Sequence, residues 1–145
     1  MGMKRNDRIA ILHYSCAPVI GGVEKIIHEH EILFRRNFYP VKIFAGSGEQ
    51  CTDECKVEID PLLGSRNYQV DHLQNNFLER KEEFDAITDK IYDYLANVLD
   101  QYDILIAHNV LTMPYNLPLT YALHRMADTA CIKIVSWNHD SPYFY

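Results

Sequence analysis

Five stretches of the chain are apolar on successive or near-successive positions and rich in Ile and Val. They are Ile9–Tyr14, Val41–Ala45, Lys56–Ile59, Asp103–Ala107 and Cys131–Trp137. Unbroken apolar runs of this length read as strands covered on both faces, which is the usual state of a parallel strand. Between them the period changes. From about Gly22 to Arg36, the residues Val23, Ile26, Ile27, His30, Leu33 and Phe34 share one face of a helix. A longer helical pattern spans about Val70 to Gln101, with Phe84, Ile87, Ile91, Tyr94, Leu95, Val98 and Leu99 at helical spacing in its second half. A third follows Pro118 through Leu119, Ala122, Leu123 and Met126.

Strands alternating with helices predict an α/β fold. The expected architecture is a Rossmann-like, doubly wound, mainly parallel sheet in three layers, α/β/α, with right-handed crossovers. At 145 residues, one domain spanning 1–145 is expected. A chain of this size buries roughly 70% of the surface its unfolded form exposes, so no disulfide or metal is required to hold a core. The last residues, Trp137 to Tyr145, carry aromatics after an interior strand, and the sequence reads as though a further element should follow.

Ligands of open parallel sheets sit beyond the carboxyl ends of the strands. Three stretches are therefore expected at one rim: Ser15–Gly22, His108–Pro118 and Asn138–Tyr145, with the loop Gly46–Gln50 able to join them. The first is the most informative. A strand ends, a loop of small residues follows, and Gly21-Gly22 opens a helix. Unpaired N–H groups and the positive end of the helix dipole there favour an anion, and glycines let it come close. The competing reading of the glycine pair is a plain tight turn. At the other strand ends stand His108-Asn109 and His139-Asp140, side chains suited to holding hydroxyl groups.

Composition narrows the classes. A net charge of −6 speaks against binding nucleic acid by phosphate neutralisation. No run approaches the ~18 apolar residues of a membrane span, and the polar N-terminus is unlike a secretory signal, so a cytoplasmic location is expected. The G-x-G-x-x-G dinucleotide fingerprint is absent. Cys51 and Cys55 lack a second pair at zinc-ligand spacing. His28 and His30 point to different sides of a helix. No metal and no cofactor are expected.

The segment Ala17-Pro18-Val19-Ile20-Gly21-Gly22-Val23-Glu24 resembles the N-terminal half of retaining glycosyltransferases of family four, which have the GT-B fold. The stretch Asp103–Leu119 looks like that family's mid-domain strand and acceptor-side helix, and Val135–Asp140 looks like its strand ending in a His-Asp pair. The resemblance covers nearly the whole chain. It implies half of a GT-B architecture, with the donor-binding C-terminal domain absent from these residues. Gly21 and Gly22 would approach the diphosphate of a nucleotide-sugar donor. His139 would face the donor sugar, with Asp140 beside it. His108 and Asn109 would contact a sugar or lipid-linked acceptor, with peripheral contact at the inner membrane face left open. Transfer would proceed with retention and would need the second domain. Two other readings remain open at this stage: a stand-alone, non-catalytic Rossmann-like module, and a fragment of a sugar-nucleotide epimerase.

Overall fold

The computed structural model describes residues 5–49 and 53–141. Among them, five strands form one all-parallel sheet: β1 (Ile9–His13), β2 (Val41–Ala45), β3 (Val57–Ile59), β4 (Ile104–His108) and β5 (Lys133–Trp137). Their spatial order is β3-β2-β1-β4-β5. The chain builds outward from β1 in one direction, then returns to its other side at β4. This reversal is the topological switch point of a Rossmann-like, doubly wound fold. The helices are α1 (Gly22–Arg36), α2 (Tyr68–Asn75), α3 (Lys81–Val98) and α4 (Leu117–Thr129).

Strand parity sorts the core into two halves. Ile9 and Ile11 of β1, Val41, Ile43 and Ala45 of β2, and Ile106 of β4 pack on the α1 side around Ile27. The alternate residues Ala10, Leu12, Phe44, Leu105 and Ala107 pack on the other side against α3 and α4, around Ile91, Leu95, Leu119 and Leu123. Each strand is apolar on both faces because each face meets a helix layer, which is why the runs did not alternate in the sequence. β5 is an exception. It is one of the two edge strands, with Ser136 and Trp137 exposed, and the other edge strand, β3, likewise has no fully buried residue and carries Glu58.

The long helical pattern expected over about Val70 to Gln101 is two helices. α2 ends at Asn75, and α3 begins at Lys81. Asn76 turns its side-chain amide back onto the His72 carbonyl at 2.8 Å, and the Glu79 and Arg80 N–H groups bond the Asn76 carbonyl, closing a turn between them. Asn side chains compete with the helical backbone in this way.

The start of α4 is tied to the loop after β3. Asn116 is fully buried, and its oxygen caps the helix by accepting the Leu119 N–H at 3.1 Å. Its amide donates to the carbonyls of Leu62 at 2.9 Å and Gly64 at 3.0 Å. Gly46, just after β2, lies against the same loop. A Cβ there would come within 2.2 Å of the Gly64 backbone, so only glycine allows this approach.

Candidate functional site

Parity carries past the strand ends. Ile9 and Ile11 face α1, so His13 follows on that face; Ile104 and Ile106 face α1, so His108 does too. The two histidines therefore stand at the carboxyl ends of the two neighbouring strands that define the switch point. Trp137 is the registered partner of His108 on β5 and stacks beside it, ring centroids 5.8 Å apart. His30 of α1 closes the group, with its ring 5.9 Å from His108 and 4.7 Å from Trp137.

β4 runs one residue further than the sequence suggested. His108 is its last residue and is fully buried, rather than standing in a loop. Its Nδ1 lies 2.9 Å from Nε2 of His139, and the rings stack at 5.2 Å. Among the described residues, the buried Nε2 of His108 has no hydrogen-bond partner, nor has Nδ1 of His30. Burial is the main force holding His108 neutral, and the nearby His139, His13 and His30 add to it, so its pKa falls to about 3.

Asn109 follows with a left-handed backbone, φ 63°. It is almost fully buried, and its Oδ1 accepts the N–H groups of His139 at 2.7 Å and Asp140 at 3.2 Å. Its own N–H continues the sheet ladder to the Trp137 carbonyl at 3.0 Å. Of the six residues singled out beforehand, the structure thus brings four into direct contact: His108, Asn109, His139 and Asp140. His108 and Asn109, expected as acceptor contacts, here face the 138–140 turn. They shape the half-buried His139 rather than open space, because parity turns His108 inward onto α1.

The glycine pair sits apart from that group. Gly21 precedes α1 with extended backbone, φ −176°, and a Cβ on it would reach within 2.2 Å of Oε2 of Glu24. The Glu24 carboxylate folds back over the start of its own helix, where the dipole favours a negative charge. Ser15 Oγ donates to it at 2.5 Å, and His13 Nδ1 lies 4.0 Å away. Around Gly22, by contrast, a Cβ would meet nothing within 4 Å. Neither tight packing nor an unusual φ calls for glycine there.

His13 was not singled out from the sequence. It is buried, and its Nδ1 makes two contacts to Ser15: 2.7 Å to the carbonyl oxygen and 3.3 Å from the N–H. The shorter one decides the proton, since a carbonyl only accepts. Nδ1 carries the hydrogen, and Nε2 keeps its lone pair. Burial lowers the pKa of His13, against the raising effects of the Ser15 carbonyl and Glu24. The available signal was a polar residue closing an apolar strand on the same parity as its buried Ile residues.

A cavity of about 480 Å³ opens at the carboxyl ends of β1, β2 and β3. Its polar walls come from Ser15 and Glu24 on one side, Ser47 after β2, and Ser65, Arg66 and Asn67 after β3. The loop Gly46–Ser47 is stitched to the first loop by Gly46 N–H to the Tyr14 carbonyl at 3.0 Å and Cys16 N–H to the Ser47 carbonyl at 2.9 Å. Hydroxyls, one carboxylate and one guanidinium suit a ligand with several hydroxyl groups.

Cys51 and the aromatic end Tyr143-Phe144-Tyr145 lie outside the described residues. Among the described residues, no group of three or more His, Cys, Asp or Glu side chains is arranged to hold a metal ion, and no helix is long and apolar enough to cross a membrane. No protein-family model matches the chain, and no curated protein matches its sequence.

Proposed function

We propose that this chain is the acceptor-side domain of a retaining GT-B glycosyltransferase, which moves a sugar from a nucleotide-sugar donor to a hydroxyl of a sugar or lipid-linked acceptor. The observation that carries the reading is the fixed position of His139. It is held through its backbone by Asn109 and through its ring by His108, beside the switch point of a 3-2-1-4-5 parallel sheet. Ligands of such sheets bind at that point.

In this reading His139 and Asp140 meet the donor sugar. The acceptor enters the cavity walled by Ser15, Ser47 and Arg66. Departure of the diphosphate needs positive potential at the point where charge develops, which the N-terminus of α1 supplies. Glu24 already occupies the turn at Gly21, so the diphosphate approaches over the open face of Gly22. Retention with the leaving phosphate accepting the acceptor's proton requires no protein base, and none is assigned. Transferases of that architecture grip the nucleotide with a second domain facing this rim, so titration of these 145 residues is expected to show weak donor binding. The location is cytoplasmic, with peripheral membrane contact where the acceptor is lipid-linked.

The test is calorimetric or NMR titration with uridine-, guanosine- and adenosine-diphosphate sugars, on the native chain and on Gly22→Trp. Gly22 is exposed and a Cβ there meets nothing within 4 Å, so the substitution starts without a clash, and a circular dichroism spectrum matching the native chain checks that the variant is folded. Weak binding lost in the variant supports the reading. Binding that survives Gly22→Trp removes the glycine turn from the site.

A further inference from the structure

We infer that His108 is a positioning residue that locks His139 in a single tautomer, with the proton on Nδ1, so that His139 presents an N–H donor at the rim. The argument begins from hydrogen-bond accounting. The two rings share one contact, His108 Nδ1 to His139 Nε2 at 2.9 Å, and between neutral imidazoles one nitrogen must donate and the other accept. His108 is fully buried, and its pKa of about 3 keeps it neutral over the ordinary range, so it has one proton to place.

Placed on Nε2, that proton would make a buried donor with no acceptor among the described residues. Placed on Nδ1, it is used in the bond to His139 and leaves only a bare lone pair behind. An orphaned buried donor is the rarer and costlier of the two. His108 therefore donates, His139 Nε2 accepts, and the hydrogen of His139 moves to Nδ1. That nitrogen has no hydrogen-bond partner among the described residues, in a residue that is only half-buried.

His139 is anchored through its backbone as well. Its own N–H and that of Asp140 are both held by Asn109 Oδ1. His13, on the neighbouring strand, is fixed in the same tautomer by the Ser15 carbonyl, which leaves its Nε2 an acceptor with no hydrogen-bond partner among the described residues. The two histidines thus offer opposite characters at one rim, an N–H from His139 and a lone pair from His13. A hydroxyl group, which both donates and accepts, is matched to such a pair. This last consequence rests on the transferase reading; the tautomer does not.

Long-range ¹H–¹⁵N correlation spectra of the unliganded chain, labelled at histidine, read each tautomer directly. The expected spectrum gives His139 a protonated Nδ1 and an unprotonated Nε2. In His108→Leu the Nε2 resonance of His139 moves toward the protonated position. In His108→Asn, whose amide can donate from nearly the same place, it stays. A native spectrum with His139 protonated on Nε2 overturns the inference without any variant. So does a folded His108→Leu protein that leaves the His139 tautomer unchanged. Neither result depends on sugar-nucleotide binding, so a failure here is distinct from a failure of the transferase reading.

Discussion

Asn109 Oδ1 accepts the backbone N–H of His139 at 2.7 Å, joining the turn after β4 to the turn after β5. The residue does this from a left-handed backbone, φ 63°, which Asn tolerates better than most side chains. Asn109→Ala loses the acceptor of two N–H groups and adds backbone strain, for an expected cost of about 2–4 kcal/mol. Asn109→Gly loses the same acceptor and relieves the strain, so it should cost about 1 kcal/mol less. Urea unfolding of both variants measures this. An alanine variant within about 0.5 kcal/mol of the native chain would show that the tie carries no stability.

The glycines should divide by position. Gly46→Ala drives a Cβ to 2.2 Å from the Gly64 backbone, and Gly48→Ala combines φ 122° with a Cβ 2.5 Å from Cys16 Sγ. Each is expected to cost about 1–3 kcal/mol through overpacking or strain. Gly22→Ala meets nothing and should be neutral or stabilising by up to about 1 kcal/mol. Thermal melts of the three variants test the order, and a destabilised Gly22→Ala would mean that the fold rather than a ligand requires that glycine.

Acid should weaken the fold in a way His108 controls. Its folded pKa of about 3 lies below the ordinary 6.5, so as pH falls below 6.5 the unfolded chain takes up a proton that the native one refuses. Stability is fully present above 6.5 and declines by about 1.4 kcal/mol per pH unit for each such histidine. His13, also depressed, adds in the same direction. Between about pH 6 and 5, where carboxylates are still ionised, His108→Asn should flatten the slope by close to one proton's worth. An unchanged slope in denaturant unfolding across that window contradicts the buried, neutral state.

A second pH effect arises on β3, at one edge of the sheet. The Tyr94 hydroxyl donates to Glu58, and Lys42 pairs with the same carboxylate at 3.2 Å. The hydrogen bond from Tyr94 is the largest influence holding Glu58 below the usual carboxylate range; burial opposes it, and Lys42 assists. That contribution is present above the ordinary Glu value and is lost as pH falls through the lowered one. Glu58 is one-third exposed, so the effect should be at most about 1 kcal/mol. Tyr94→Phe should move the Glu58 titration, followed by carboxyl NMR shifts, toward ordinary values; no movement would assign the shift to Lys42.

The sheet could be read from the sequence because its three inner strands, β1, β2 and β4, meet helices on both faces and announce themselves as apolar runs. The split between α2 and α3 could not, since apolar spacing continues across Asn76 while the break is made by side-chain and backbone hydrogen bonds. Histidine and asparagine at strand ends were legible as neighbours, and the structure brings them together after β4 and β5. Their division of labour did not show, because whether His108 faces ligand or core depends on parity against α1, and α1's contact through His30 emerges only once the layers are packed. Glu24 read as part of a glycine motif, yet its carboxylate folds over Gly21, a contact that no sequence spacing shows.

Amide and imidazole shift mapping of the labelled chain with millimolar nucleotide sugars tests the central claim most directly. The account predicts perturbations concentrated at Gly21, Gly22, His139 and Asp140, and at the serines of the cavity when acceptor-like sugars are added. Perturbations confined to other surfaces, or none with any donor, would contradict it.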